Sequence, residues 1–224
     1  MNDNQIICSI EQVIALQDSF NAVVNPKWKT AGYPFYRAAW LEMGEFVEHV
    51  GTWKWWKKAS RGDREQCVLE LVDIFHFVLS DCILQNRSAE VIYGSYKKAI
   101  QSAKKDASDE DIFNEVDAFI ELTLYNVRNG SGVALKEFFS ICIMFGVDIE
   151  ELLKKYIGKN VLNKFRQDNG YKAGTYVKEW APGLEDNHFL VQYRDQLGSS
   201  LTFDTLYDAL REKYAEVVLM QQVQ

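Results

Sequence analysis

Apolar residues recur along most of this chain every three or four positions, the period of helices that bury one face. Ser9, with Gln12 three residues on, has the form of a capping box and predicts a helix to about Val24. Its stripe is Ile10, Val13, Ile14, Phe20 and Val24. After a loop over 25–32, Pro34 suits the first turn of a second helix that runs to about Val50 and stops at Gly51. Tyr36, Trp40, Met43, Phe46, Val47 and Val50 make its packing face. Asp63 can cap a third helix reaching about Asn86, in which 67–84 is apolar almost all the way round. Further helices are expected near 88–105, from the Ser108/Asp111 cap to about Asn129, over about 133–145, and from the Asp148/Glu151 cap to about Asn169. Residues 173–200, with Gly174, Pro182, Gly183 and Gly198, read as a loop-rich lid with a short helical piece near 187–196. Thr202 caps a last helix bearing Phe203, Leu206, Tyr207, Leu210, Tyr214 and Val217. The pattern predicts one all-α domain over 1–224, a bundle of about seven to nine helices with a rigid core and a mobile part. The more polar stretch 87–130 reads as scaffold or as a mobile, inserted subdomain.

Composition agrees. At 224 residues and 47% hydrophobic, the chain is long enough and apolar enough for a sizeable core. Three prolines and thirteen glycines leave long uninterrupted segments, which favours helices. A net charge of −7 argues against broad nucleic-acid binding, although a local basic strip can still bind phosphates. The opening residues lack the basic and long apolar regions of a signal peptide, and no uncharged run reaches the roughly 18 residues that span a bilayer. Of the four cysteines, none in CxxC spacing, Cys67, Cys82 and Cys142 lie on apolar stretches and read as buried free thiols. A cytoplasmic protein without membrane or nucleic-acid partners is expected. No fixed-period repeat, Walker A loop, GxGxxG or nucleophile elbow occurs, so nucleophilic catalysis is not expected.

The chemistry collects between Trp40 and Asp81. Glu42 with Glu45, and Glu70 with Asp73, are spaced i, i+3, so each pair projects from one helix face. The first pair, sharing its face with His49, has the ordinary form of a solvated surface. The second pair sits in the apolar 67–84 run, where an unpaired carboxylate is costly. Together they predict a four-carboxylate pocket whose mutual repulsion calls for cations, and oxygen donors suit magnesium or manganese. His76 follows Asp73 by three residues and is a structural hydrogen-bonder or a support to the acids. Glu48 continues the acid face.

Three further patterns each allow two readings. Gln17 and Asn21 fall in the middle of the first helix's apolar stripe, either as core amides bonded to nearby backbone or as amides aimed at a nucleobase edge. Trp53, Trp55 and Trp56 alternate with Lys54, Lys57 and Lys58, so the rings plug a core or interface, or some of them stack a base while the lysines reach phosphates. Lys159, Asn163 and Arg166, at i, i+4 and i+7 with Lys172 nearby, form a solvated face or a strip of donors for a triphosphate.

In combination these segments resemble a known family. Trp40-Leu-Glu-Met-Gly-Glu45, the Trp-Lys segment, and Glu70-Leu-Val-Asp-Ile-Phe-His-Phe77 are similar to the dimeric, all-α dUTPases, within the wider MazG-like group of all-α NTP pyrophosphohydrolases. The stretch from Tyr156 to Lys172 resembles that family's distal nucleotide-binding motif, and Leu16-Gln17 with Asn21 its base-recognition element. The resemblance implies magnesium-dependent hydrolysis of dUTP to dUMP and pyrophosphate by water attacking the β-phosphorus, which removes dUTP and supplies the dTMP precursor. It implies two or more Mg2+ ions, replaceable by Mn2+, on Glu42, Glu45, Glu70 and Asp73, with Glu45 orienting or deprotonating the water. Gln17 and Asn21 would read uracil, with Trp53 or Trp56 and Phe77 in the base and sugar wall. Lys159, Asn163, Arg166, Tyr171 and Lys172 would hold sugar and phosphates. A homodimer is implied, and dUDP is a further candidate substrate. The alternatives are a dCTP or broader NTP pyrophosphatase, since amides donate and accept alike, and a non-enzymatic helical interaction protein.

Overall fold

Polar caps set the helix boundaries. The computed structural model describes residues 1–58 and 62–222. Its first helix, α1 (Asp3–Val24), begins earlier than Ser9 because Asn2 provides the cap. The Asn2 side chain accepts from the Gln5 backbone N–H at 3.0 Å, and Gln5 Oε1 accepts from the Asn2 N–H at 2.8 Å, a reciprocal capping box. The second helix, α2 (Phe35–Val50), ends at Gly51, whose φ of +72° is a left-handed conformation that glycine adopts without strain. In the third, α3 (Arg64–Leu84), the Asp63 side chain accepts from Glu65 N–H as expected. Then come α4 (Ala89–Ser102), α5 (Asp109–Arg128) with the Ser108/Asp111 capping box, α6 (Leu135–Met144) and α7 (Ile149–Asp168). The described residues thus form an all-α fold with nine helices once α8 and α9 are added below.

By contacts the chain divides into two compact units, Met1–Tyr156 and Ile157–Gln224. In the first, α3 is the central element: 14 of its 21 residues are buried, as its all-round apolar sequence requires. Its most extensive partner is α2, and α1 also lies against it, while α6 packs on α4 and α5. Phe75 stacks on Phe138 at 5.8 Å and meets Tyr156 edge-on at 5.7 Å. Each such ring, removed from water, stabilises the fold by about 1.5–3 kcal/mol. The stretch 87–130 contributes Tyr93, Tyr96, Ile112 and Phe119 to this core. Cys67, Cys82 and Cys142 are buried free thiols, and burial pushes Cys82 up to about 12.

The second unit surrounds Phe165 with aromatic rings, Tyr207 at 5.3 Å, Tyr214 at 5.4 Å and Trp180 at 6.1 Å. It contains a feature that the hydropathy pattern does not predict, a hairpin of β1 (Glu179–Ala181) and β2 (Leu184–Glu185) turned by Pro182 and Gly183. Strands this short carry too few residues for a period-two signal, but Pro before a Gly at φ +72° is standard turn chemistry. The chain runs from β2 directly into α8 (Asp186–Leu197), which packs against α9 (Phe203–Gln222).

Candidate active site

Packing of α2 on α3 determines which acids meet. Met43 and Phe46 are fully buried on α2, and this leaves Glu42 and Glu45 on the flank of the contact, where Glu70 of α3 also emerges. One carboxylate oxygen from each of Glu42, Glu45 and Glu70 lies within 4.8 Å of the others. Exposure differs along the set: Glu70 is buried, Glu42 half-buried and Glu45 exposed. His49, one turn beyond Glu45, sets its Nε2 3.4 Å from Glu70 Oε1. The chain then returns along the end of α2 so closely that a Cβ at Gly62 would sit 2.1 Å from the His49 carbonyl oxygen. Asp73 is half-buried one turn further along α3 and is not part of the close set.

Gln17 and Asn21 are buried, and their partners are side chains rather than the backbone expected for core amides. Gln17 Nε2 donates to Asn21 Oδ1 at 2.9 Å and to Ser80 Oγ at 3.0 Å. Its Oε1 accepts from Tyr156 OH at 2.7 Å and lies 2.8 Å from His76 Nδ1. Because that oxygen is an acceptor, a neutral His76 carries its proton on Nδ1. Asn21 Nδ2 donates to Ser80 Oγ at 2.9 Å, and Ser80 donates to the His76 carbonyl at 2.9 Å. Both donors and both lone pairs of Gln17 are therefore engaged, whereas Asn21 has one N–H and one lone pair beyond these bonds. Spacing along α3 puts Ser80 on the side of Glu70 and Asp73, and Tyr156 opens the distal motif, but only the meeting of α1, α3 and α7 gives the two this role.

The tryptophans are largely outside the core, with Trp53 41%, Trp56 56% and Trp55 88% exposed. Trp53 and Trp56 meet edge-on at 5.2 Å, and Trp53 Nε1 donates to the Val47 carbonyl at 3.2 Å. Lys54 is buried and bonds the Glu48 carboxylate, which holds Glu48 below its ordinary value. Glu48 is thus paired with the Trp-Lys segment. Phe77 is half-buried on α3.

In the second unit, Lys159, Asn163 and Arg166 share a face of α7 as their spacing predicts, while Tyr171 and Lys172 follow it and are exposed. The Arg166 guanidinium lies 5.8 Å from the Tyr171 ring centre. Sequence reasoning passed over the residues that hold this strip, Asp186 and Asn187 at the start of α8. Arg166 donates Nε and Nη2 to Asp186 at 2.8 and 2.7 Å, and Lys159 Nζ donates to Asn187 Oδ1 at 2.8 Å. The available signal was an acid opening a helix three residues after a Pro-Gly turn.

A family model described as dUTPase matches residues 9–171, most of the chain and all of the acid cluster. No curated protein matches the chain significantly.

Proposed function

We propose, for a chain that belongs to the all-α dUTPase family and is therefore a hydrolase of the dUTP diphosphatase class, that it hydrolyses dUTP to dUMP and pyrophosphate with magnesium. The observation that carries the magnesium requirement is the gathering of Glu42, Glu45 and Glu70 within 4.8 Å. Octahedral oxygen ligands about 2.1 Å from an ion lie about 3–4.2 Å apart, so this all-oxygen set needs little movement to fit one. Glu42, Glu45 and Glu70 would hold the metal, with Asp73 joining from the next turn. When bound, the metal supplies charge neutralisation at the phosphate oxygens and a lowered pKa for water.

The protein's own groups have separate tasks. Glu70, buried beside His49, is the fixed member of the set. Glu45, the exposed one, accepts the proton of the attacking water on a carboxylate oxygen, a role its exposure supports. That water forms a bond to the β-phosphorus, the bond from this phosphorus to the α–β bridging oxygen breaks, and dUMP leaves on the bridging oxygen. Lys159, Asn163, Tyr171 and Lys172 donate to sugar and phosphate oxygens, and Arg166 serves the strip through Asn163. Asn21, with hydrogen-bonding capacity left in this network, addresses the uracil edge, and Gln17 holds it in place. Trp53, Trp56 and Phe77 form the apolar wall of the base and sugar. The remaining expectations, a homodimer in the cytoplasm, belong to the same reading. No helix among the described residues is long and apolar enough to cross a membrane.

A panel of dUTP, dUDP, dCTP, dTTP and UTP, scored by pyrophosphate or phosphate release, tests the reading. Pyrophosphate should be released from dUTP, activity should vanish with chelator, and it should return with added magnesium. Preference for dCTP would move the chain to a sister activity, and undiminished turnover in chelator would overturn the metal assignment.

A further inference from the structure

We propose that Asp186 is a positioning residue for nucleotide binding, acting through Arg166 on the side-chain amide of Asn163; the proposal rests on the reading of this strip as a sugar and phosphate site. Asp186 is fully buried, and the structure occupies both of its oxygens. Oδ1 accepts from Arg166 Nη2 at 2.7 Å, and Oδ2 accepts from Arg166 Nε at 2.8 Å and from Tyr176 OH at 2.8 Å. The Tyr176 hydroxyl is a dependable donor, because burial first and the Asp186 charge second push its pKa far upward.

The geometry of the pair shows what it orients. The carboxylate takes the Nε/Nη2 edge of the guanidinium, a planar fork that permits little rotation once bound at two points. The other end, Nη1, is thereby directed along α7 and donates to Asn163 Oδ1 at 3.3 Å. With its oxygen accepting from Arg166, the Asn163 amide keeps its NH2 group, two neutral donors suited to phosphate or sugar oxygens. The adjacent Asn187 treats the neighbouring cation differently. Its Oδ1 accepts from Lys159 Nζ at 2.8 Å and from Arg166 Nη2 at 3.4 Å, which fixes the ammonium through a neutral side chain. Two consecutive residues at the start of α8 therefore divide the strip: Asp186 fixes Arg166 as a relay to Asn163, and Asn187 fixes the Lys159 ammonium.

The test is steady-state dUTP hydrolysis at saturating magnesium by the wild-type chain, Asp186→Asn, Asn163→Ala and the double variant, each well below its melting temperature. Asp186→Asn, which removes the carboxylate's second acceptor edge, should raise KM at least tenfold while kcat falls by less than threefold. The double variant should match Asn163→Ala within twofold, since Asp186 acts through that amide. A lowered melting temperature with unchanged KM, or losses that multiply in the double variant, would overturn the proposal. If Asp186→Asn does not fold, Tyr176→Phe decides: it keeps the ring, should raise KM two- to threefold, and should have no effect in the Asn163→Ala background. An unchanged KM in Tyr176→Phe would then overturn it. A wild-type chain that releases no pyrophosphate from dUTP removes the underlying reading, an outcome distinct from these.

Discussion

Replacing Gln17 with methionine separates a core role from a base-reading role. Methionine keeps the length and most of the volume of glutamine but neither donates well nor accepts well. Two donors then lose their acceptor in a place where Gln17 is only 2% exposed, so water cannot substitute. An orphaned buried donor costs about 1–3 kcal/mol, so two cost about 2–6 kcal/mol. The Tyr156 hydroxyl has a fallback in the Val13 carbonyl at 3.5 Å, and Ser80 keeps its bonds to Asn21 and to the His76 carbonyl. The expected loss is therefore in the lower half of that range, about 2–4 kcal/mol.

The assay is urea unfolding followed by far-UV circular dichroism, run on Gln17→Met, Tyr156→Phe and the pair. Removing the Tyr156 hydroxyl takes one donor from the network, so Gln17→Met in that background should cost about 1–2 kcal/mol less than in the wild type. A loss below about 0.5 kcal/mol would refute the network's role in stability, because an unsatisfied buried donor cannot be that cheap. A Gln17 that acted only on the base would give another signature, reduced turnover with unchanged unfolding.

Glu45→Gln should lower kcat by about 10²–10⁴-fold, the usual contribution of a general base, while nucleotide binding by calorimetry persists; near-normal turnover would remove Glu45 from that role. Gly132→Ala should destabilise by about 1–3 kcal/mol, because the added Cβ falls 1.9 Å from Asp81 Oδ2, where Asp81 holds the Val133 N–H. Gly94→Ala, inside α4 with nothing within 4 Å of the new Cβ, should raise the denaturation midpoint by a gain of about 0.5–1 kcal/mol. Asp111 is held down to about 2 by Lys104 and Ser108. A depressed folded-state value means its contribution is present above the unfolded value of 3.8 and is lost as pH falls through about 2. A carboxyl titration followed by NMR should show this midpoint, and Lys104→Ala should raise it.

The helical fold was legible because its determinants are local. The Ser108/Asp111 box, the Asp63 cap and the Gly51 stop act within one turn of the boundaries they set. Where prediction slipped, a second local signal competed: Ser9 and Gln12 have the right spacing, but Asn2 and Gln5 have it too and stand earlier in the chain. The hairpin after residue 178 is another matter. Its strands have three and two residues, and what holds it is the turn, the short ladder and the one buried ring of Trp180 against Phe165, Phe189 and Tyr214, too few positions for a hydrophobic period.

At the site, spacing along one helix could say which side chains share a face but not how far two helices slide past each other. The i, i+3 rule correctly put Glu42 beside Glu45, whereas the register between α2 and α3 decided that Glu70 reaches them and that Asp73 is a turn away. The same limit explains Gln17. Its place in an apolar stripe made it a buried amide by periodicity, yet its partners come from positions 63 and 139 residues distant. A residue so placed has no spare capacity for a ligand, and its neighbour Asn21 does. Periodicity alone cannot divide such a buried amide pair, because the difference between its members is which donors and acceptors the core occupies, and the core occupies all four of Gln17's.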